Sequence, residues 1–195
     1  IPQQAYAKPK KPRKLLVVDI SPAGMSHSTV PHANHLLMAM GRKTGAWETV
    51  FDNNLANLKY PKIKEYDAIY FNSNVGELFA EPAVRDGLAR FVREGGGLGG
   101  IHGTPWASRN WDEFAEIIGS QSAPHRIEQG VMQVYDAASP LMTPFGGKDL
   151  PFREEYYRFE DQGNGRLRWD KVRVLLIVDL DEKVPNATDK AWQGY

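Results

Sequence analysis

The chain has 195 residues, 42% of them hydrophobic, enough for one domain with a sizeable core. Its 24 basic and 24 acidic residues cancel, which argues against a nucleic-acid surface or an anionic-membrane patch. Cysteine is absent, which excludes disulfides, thiolate metal sites and a cysteine nucleophile but leaves the redox compartment open.

Residues 1–13 are rich in proline and lysine and have no apolar periodicity, so a flexible lead-in is expected there. The stretch lacks the apolar centre of a signal peptide, yet it could be the mature end left after one was removed. A periplasmic or secreted address is therefore expected, with no membrane insertion, because no apolar run reaches the length of a span.

Lys14 to Ile20 is a continuous apolar run that predicts a strand buried on both faces. From His32 to Lys43 a helix is expected, with His35, Leu36, Ala39 and Met40 at helical spacing and Gly45 as its stop. Trp47 to Phe51 alternates as a short strand, and Asp67 to Asn72 predicts a third, buried one. Glu81 to Glu94 reads as a helix with Pro82 in its first turn and Val84, Leu88, Phe91 and Val92 inward. A strand over Leu98–His102 follows, then a helix over Asn110–Gly119 with Phe114, Ile117 and Ile118 inward and Gly119 as C-cap. Beyond it, Gly130–Tyr135, Glu155–Phe159 and Val172–Leu180 look like strands without full helices between them. This order predicts a mostly parallel sheet carrying an antiparallel β extension, over one domain from 14 to 195.

Chemistry concentrates where predicted strands end, because open parallel sheets bind ligands at their carboxyl edge. The central stretch is Gly95–Thr104, GGGLGGIHGT, in which a strand ends on His102 and Gly103 is expected to turn with positive φ. A histidine so placed suits an acid, a base or a metal ligand. Gly24–His27 and Asn72–Glu77 stand after two other strands, and His125 with Arg126 is expected in a later loop. His27, His102 and His125 could together hold zinc or a similar divalent ion, since imidazole suits such metals. In the run Glu154–Tyr157, strand alternation puts Glu155 and Tyr157 on one face, fit for proton transfer or hydroxyl binding. An edge strand guarded by charge is the plainer reading of that run. Trp106 and Trp111 offer sugar-stacking platforms, or a lid or core role. Gly95–Gly97 precedes a strand rather than a helix, so it is no phosphate loop. The absence of G-x-S-x-G argues against a serine hydrolase.

Taken together, GMSH at 24–27, YDAIYFNSNVGEL at 66–78, FVREGGGLGGIHG at 91–103 and EEYY at 154–157 resemble the ThuA-like trehalose-utilisation family of the class I glutamine amidotransferase-like superfamily. The resemblance implies a flavodoxin-like three-layer α/β/α sandwich. It also implies that His102 occupies the place of the amidotransferase cysteine, so glutaminase chemistry is lost. Glu154 stands where the family commonly has aspartate. Family domains continue past an Ala-Trp segment to a closing strand and a Leu-Gly-His motif, whereas this chain ends at Tyr195 just after Ala191–Trp192. A closing strand and one site histidine are thus expected to be lacking.

The expected function is processing of a glycoside or keto-sugar, by hydrolysis or elimination, through His/Glu acid/base chemistry. His102 would be the central acid/base and Glu155 the second group. Asn74, Glu77, Trp106 and Tyr157 would shape the pocket. The expected partner is a small sugar, with no nucleic acid, and self-association into a homo-oligomer is left open. The competing reading is a non-catalytic sugar-binding or structural domain of a larger secreted protein.

Overall fold

The computed structural model describes residues 1–159, 166–168 and 170–180. The Ala191–Trp192 segment and the chain end lie outside the described residues. The chain divides into two compact units at the Ile118–Gly119 junction.

The first unit is a four-stranded parallel sheet in the order β2-β1-β3-β4, formed by β1 (Lys14–Val18), β2 (Glu48–Phe51), β3 (Ala68–Asn72) and β4 (Gly97–Ile101). Helix α1 (Val30–Thr44) joins β1 to β2, and α2 (Pro82–Arg93) joins β3 to β4. The strand order reverses between β1 and β3. Right-handed crossovers in opposite directions put α1 and α2 on opposite faces, which makes three layers.

Side-chain alternation shows the two faces. Leu16, Val18, Ile69 and Phe71 join one buried cluster with Val84, Leu88 and Phe91 of α2 and Phe114 of the short helix α3 (Asp112–Ile118). Each such fully buried apolar side chain contributes about 1.5–3 kcal/mol relative to exposure. Phe79, with no exposed surface, meets Phe71, Trp111 and Phe114 edge-on at ring separations of 5.6, 5.2 and 5.0 Å. Trp111 is thus a core residue.

On the other face the expected α1 stripe is displaced by one position. Leu37 and Gly41 are buried, while His35 and Leu36 are exposed. Gly41 decides the rotation: a Cβ there would lie 2.6 Å from the Trp47 carbonyl oxygen. A contact made possible by a missing side chain leaves no mark in hydrophobic periodicity. Gly45, at φ 65°, ends α1 as a left-handed cap, its N–H bonded to the Gly41 carbonyl. The lead-in carries no helix or strand, and Lys11 pairs with Asp67 at 2.7 Å.

The second unit is antiparallel. A long strand β6 (Ala123–Val134) lies between β7 (Leu150–Arg158) and β9 (Leu176–Leu180), and the two-residue strands β5 (Ser120–Gln121) and β8 (Arg166–Leu167) pair separately. The β6–β7 register is broken between Ala123 and Arg126. His125 therefore lies at a strand irregularity rather than in the loop expected from sequence.

Candidate functional site

The loops after β1, β3 and β4 gather at the carboxyl edge of the parallel sheet and are tied together by backbone contacts. The Ala23 N–H donates to the Val75 carbonyl at 3.2 Å. The Ser21 hydroxyl donates to the same oxygen at 3.1 Å and accepts the Val75 N–H at 3.2 Å. Asn74, 1% exposed, donates its amide to the Val18 and Ile20 carbonyls at 3.2 and 2.7 Å. Sequence reading placed Asn74 in a sugar pocket. Its amide brackets β1 to the end of β3.

His102 itself takes the left-handed conformation, with φ 55°, rather than passing it to Gly103, whose φ is −62°. Glycine is required at 103 for a different reason: a Cβ would lie 2.5 Å from the Asn74 carbonyl oxygen. Holding a non-glycine residue at positive φ costs on the order of 1–3 kcal/mol, so the turn must be fixed by its neighbours. Thr104, 4% exposed, supplies part of that restraint by sharing its hydroxyl between the Phe71 and Ile101 carbonyls, each at 3.0 Å.

The result is an imidazole pair. His102 Nε2 stands 3.1 Å from His27 Nε2, with ring centroids 4.4 Å apart and planes at 78°. Both rings are half-buried. His27 comes from the loop after β1, whose carbonyl at 27 accepts the Val30 N–H opening α1. Residues 75 positions apart thus meet across the end of β3.

A polar network at the same carboxyl edge includes one residue singled out from sequence, Asn72, and three that were not, Asp19, Asn34 and Asn53. Asp19 accepts the side-chain amides of Asn34 and Asn53, each at 2.6 Å, and Asn53 accepts the backbone N–H groups of Asp19 and Ile20. Asn34 in turn accepts the amide of Asn72, a fully buried residue that also donates to the Val30 carbonyl. A polar residue closing each apolar strand run (Asp19 after Val18, Asn72 after Phe71) was the available signal. Of the remaining candidates in this unit, Glu77 is exposed and Trp106 is half-buried, with the Arg109 guanidinium 4.7 Å from its ring centroid.

In the second unit, β7 presents Glu155 and Tyr157 on one face, as its alternation predicts. His125 Nε2 is 3.1 Å from Glu155 Oε1, and its ring centroid is 3.9 Å from that of Tyr157. Burial holds the His125 pKa below the usual imidazole value despite the opposing pull of Glu155. Burial, with the Glu155 charge adding to it, also pushes the Tyr157 phenol well up, so it stays protonated. The arrangement offers a neutral imidazole oriented by a carboxylate, beside a hydroxyl donor.

Among the described residues no group of three or more His, Asp or Glu side chains is disposed to hold a metal ion. None of the described helices is long and apolar enough to cross a membrane.

A family model described as ThuA, trehalose utilisation, matches residues 14–194. The chain belongs to the ThuA family. That family is described as one of trehalose utilisation and lies within the class I glutamine amidotransferase-like superfamily. A ThuA-like protein of Bacteroides uniformis matches with a TM-score of 0.61 at 19% identity, covering 77% of this chain and 63% of that one. Another, from Parabacteroides merdae, gives 0.63 at 15% identity, covering 86% and 68%. At these identities the likeness bears on fold alone, and the fold is flavodoxin-like, with a parallel α/β/α sheet and a separate antiparallel sheet. The chain spans 63% of the length of the B. uniformis protein. No curated protein matches the sequence. In this ThuA chain His102 directly follows β4, and none of the 195 residues is a cysteine.

Proposed function

We propose that this ThuA protein processes a glycoside or a keto-sugar, by hydrolysis or elimination, using histidine and glutamate as proton carriers. The observation that carries the reading is the 3.1 Å contact between His27 and His102 at the carboxyl edge of the parallel sheet. One of the two Nε2 atoms donates and the other accepts in that hydrogen bond, so a substrate that displaces it meets a donor and an acceptor nitrogen at one point. That is what removal of a sugar proton and protonation of a departing glycosidic oxygen both need. His102 is the acid/base, held in place by its turn, and His27 orients it.

Within the second unit, the His125–Glu155 pair is by itself a proton-transfer or hydroxyl-binding group, and the protonated Tyr157 suits a sugar hydroxyl as donor or acceptor. Trp106 offers an apolar ring face to a pyranose. Asn74 serves by holding the loops, and Glu77 reaches a ligand only from the rim.

The test is turnover of a panel of disaccharides and their keto derivatives by the full chain, with products read by mass spectrometry. His102→Asn, which tolerates a left-handed backbone, and Glu155→Gln are each expected to lower kcat by at least about a hundredfold, the lower range for loss of a general acid or base. Full turnover in His102→Asn would refute the assignment. Sugar binding by calorimetry without any product would favour the binding-domain reading instead.

A further inference from the structure

We infer that the basic lead-in and the end of α1 form a surface that docks the protein on an anionic lipid bilayer, peripherally and with no inserted helix. The surface lies at the amino edge of the parallel sheet, away from the candidate site, and the inference is independent of the sugar-processing reading.

Overall neutrality hides an uneven distribution of charge. Residues 1–18 contain no acidic side chain, and five of the seven residues from Lys8 to Lys14 are lysine or arginine. All five are exposed, and Pro9 and Pro12 bar a helix, so the cations stand along an extended arm. The arm is fastened at its root. Lys11 and Arg13 reach Asp67 at 2.7 and 3.5 Å, and the Lys14 N–H donates to the same carboxylate at 2.9 Å. The Arg13 carbonyl accepts the N–H of Glu48 at the start of β2. Asp67 neutralises one charge and fixes where the others stand. Among the described residues Lys8 and Lys10 pair with no carboxylate.

A second basic element borders the arm. A hollow of about 710 Å³ lies between the lead-in and the end of α1, with Lys8, Lys10 and Lys11 on one side and Thr44 and Gly45 on the other. Arg42 and Lys43, exposed in the last turn of α1, immediately precede that second side, and among the described residues they too form no ion pair. Two further carboxylates, Glu48 and Glu65, line the neighbouring hollow, and Glu65 is already engaged by Lys62 at 2.8 Å. The cations therefore outnumber the acids that face them.

Lipid fits this surface better than a charged polymer does. Each lysine or arginine held near an anionic bilayer strengthens binding about fivefold, and clusters of about four to eight suffice for recognition. Tyr6, 84% exposed, stands two residues before Lys8, and a ring carrying a hydroxyl suits the depth of the headgroups. Charge joined to such an anchor is the two-signal pattern of reversible membrane attachment. Position argues the same way. Basic groups that feed a polyanionic substrate to a site belong beside it, whereas these lie at the amino edge and the His27–His102 contact lies at the carboxyl edge. Docking through the amino edge leaves that contact open to solutes.

The experiment is co-sedimentation of the tag-free full chain with vesicles of phosphatidylglycerol and phosphatidylcholine, and with vesicles of phosphatidylcholine alone. Binding is expected only to the former and should weaken as salt rises. Lys8→Gln with Lys10→Gln, and separately Arg42→Gln with Lys43→Gln, should each weaken it about twenty-five-fold, at about fivefold per charge. Tyr6→Ala should weaken it several-fold. Lys148→Gln, an exposed lysine of the antiparallel unit, should leave it unchanged. Circular dichroism of each variant guards against misfolding, and every substituted side chain in the two pairs is exposed. Equal retention by neutral vesicles, undiminished binding in either pair or in Tyr6→Ala, or a fivefold loss in Lys148→Gln overturns the proposal. Capture by RNA or heparin without retention on anionic vesicles would also overturn it, in favour of a polyanion-binding arm.

Discussion

Gly100→Ala tests whether the His102 turn is held from below. A Cβ at residue 100 would lie 2.5, 2.6 and 2.8 Å from Cγ2, Oγ1 and Cβ of Thr104. The last is next to the backbone, so the threonine cannot simply swing aside. Replacing a strand glycine by alanine ordinarily stabilises by about 0.5–1 kcal/mol through reduced chain entropy. Forcing a methyl into filled space costs about 1–3 kcal/mol. Displacing the Thr104 hydroxyl from the Phe71 and Ile101 carbonyls adds about 1 kcal/mol. The sum is a destabilisation of about 2 kcal/mol. The neighbouring Gly99→Ala provides the control, since its Cβ would meet only the edge of the Tyr70 ring, at 3.0 and 3.3 Å. The assay is urea denaturation of both variants, with imidazole proton shifts recorded in the folded state. Gly100→Ala should lower the midpoint and move the His27 and His102 signals together, whereas Gly99→Ala should do little. Unchanged midpoint and shifts in Gly100→Ala would refute the claim that Thr104 sets the turn.

Gly87→Ala should destabilise the protein by about 1–2 kcal/mol in the same assay, although alanine gains about 1 kcal/mol in a helix interior. Its Cβ would lie 2.1 Å from the Leu58 carbonyl oxygen, a backbone atom that cannot rotate away. His125 should depress stability in mild acid. Its folded pKa lies below the unfolded value of about 6.5, so the unfolded chain binds more protons between the two, and stability falls as pH drops through that window. His125→Gln should flatten the loss between pH 7 and pH 5 seen in urea midpoints.

The parallel sheet was legible because its strands are continuous apolar runs: KLLVV and AIYFN could hardly be anything but buried. Helix α2 was equally plain, with Pro82 opening it and its apolar stripe inward. What periodicity could not convey was contact through missing atoms. Gly41 turned α1 by one residue, and Gly103 was read as the flexible position when its part is to admit the Asn74 carbonyl. The full length of β6 was hidden because Pro124 and His125 look like loop residues, while the register break there accommodates them. Meetings between distant residues were beyond a linear reading. Nothing in the spacing of His27 and His102, or of Asp19, Asn34, Asn53 and Asn72, says that they touch until the crossovers bring strand ends together.

The two facing imidazoles ride on β1 and β4, which are not neighbours, since β3 lies between them. At about 4.8 Å per strand the loops bridge a gap of about 10 Å. Their closeness therefore works as a caliper across two of the sheet's three strand spacings. Any loosening that lets the outermost strand drift will part the rings while the aromatic interior is still dry, so chemistry should fade well before the fold does.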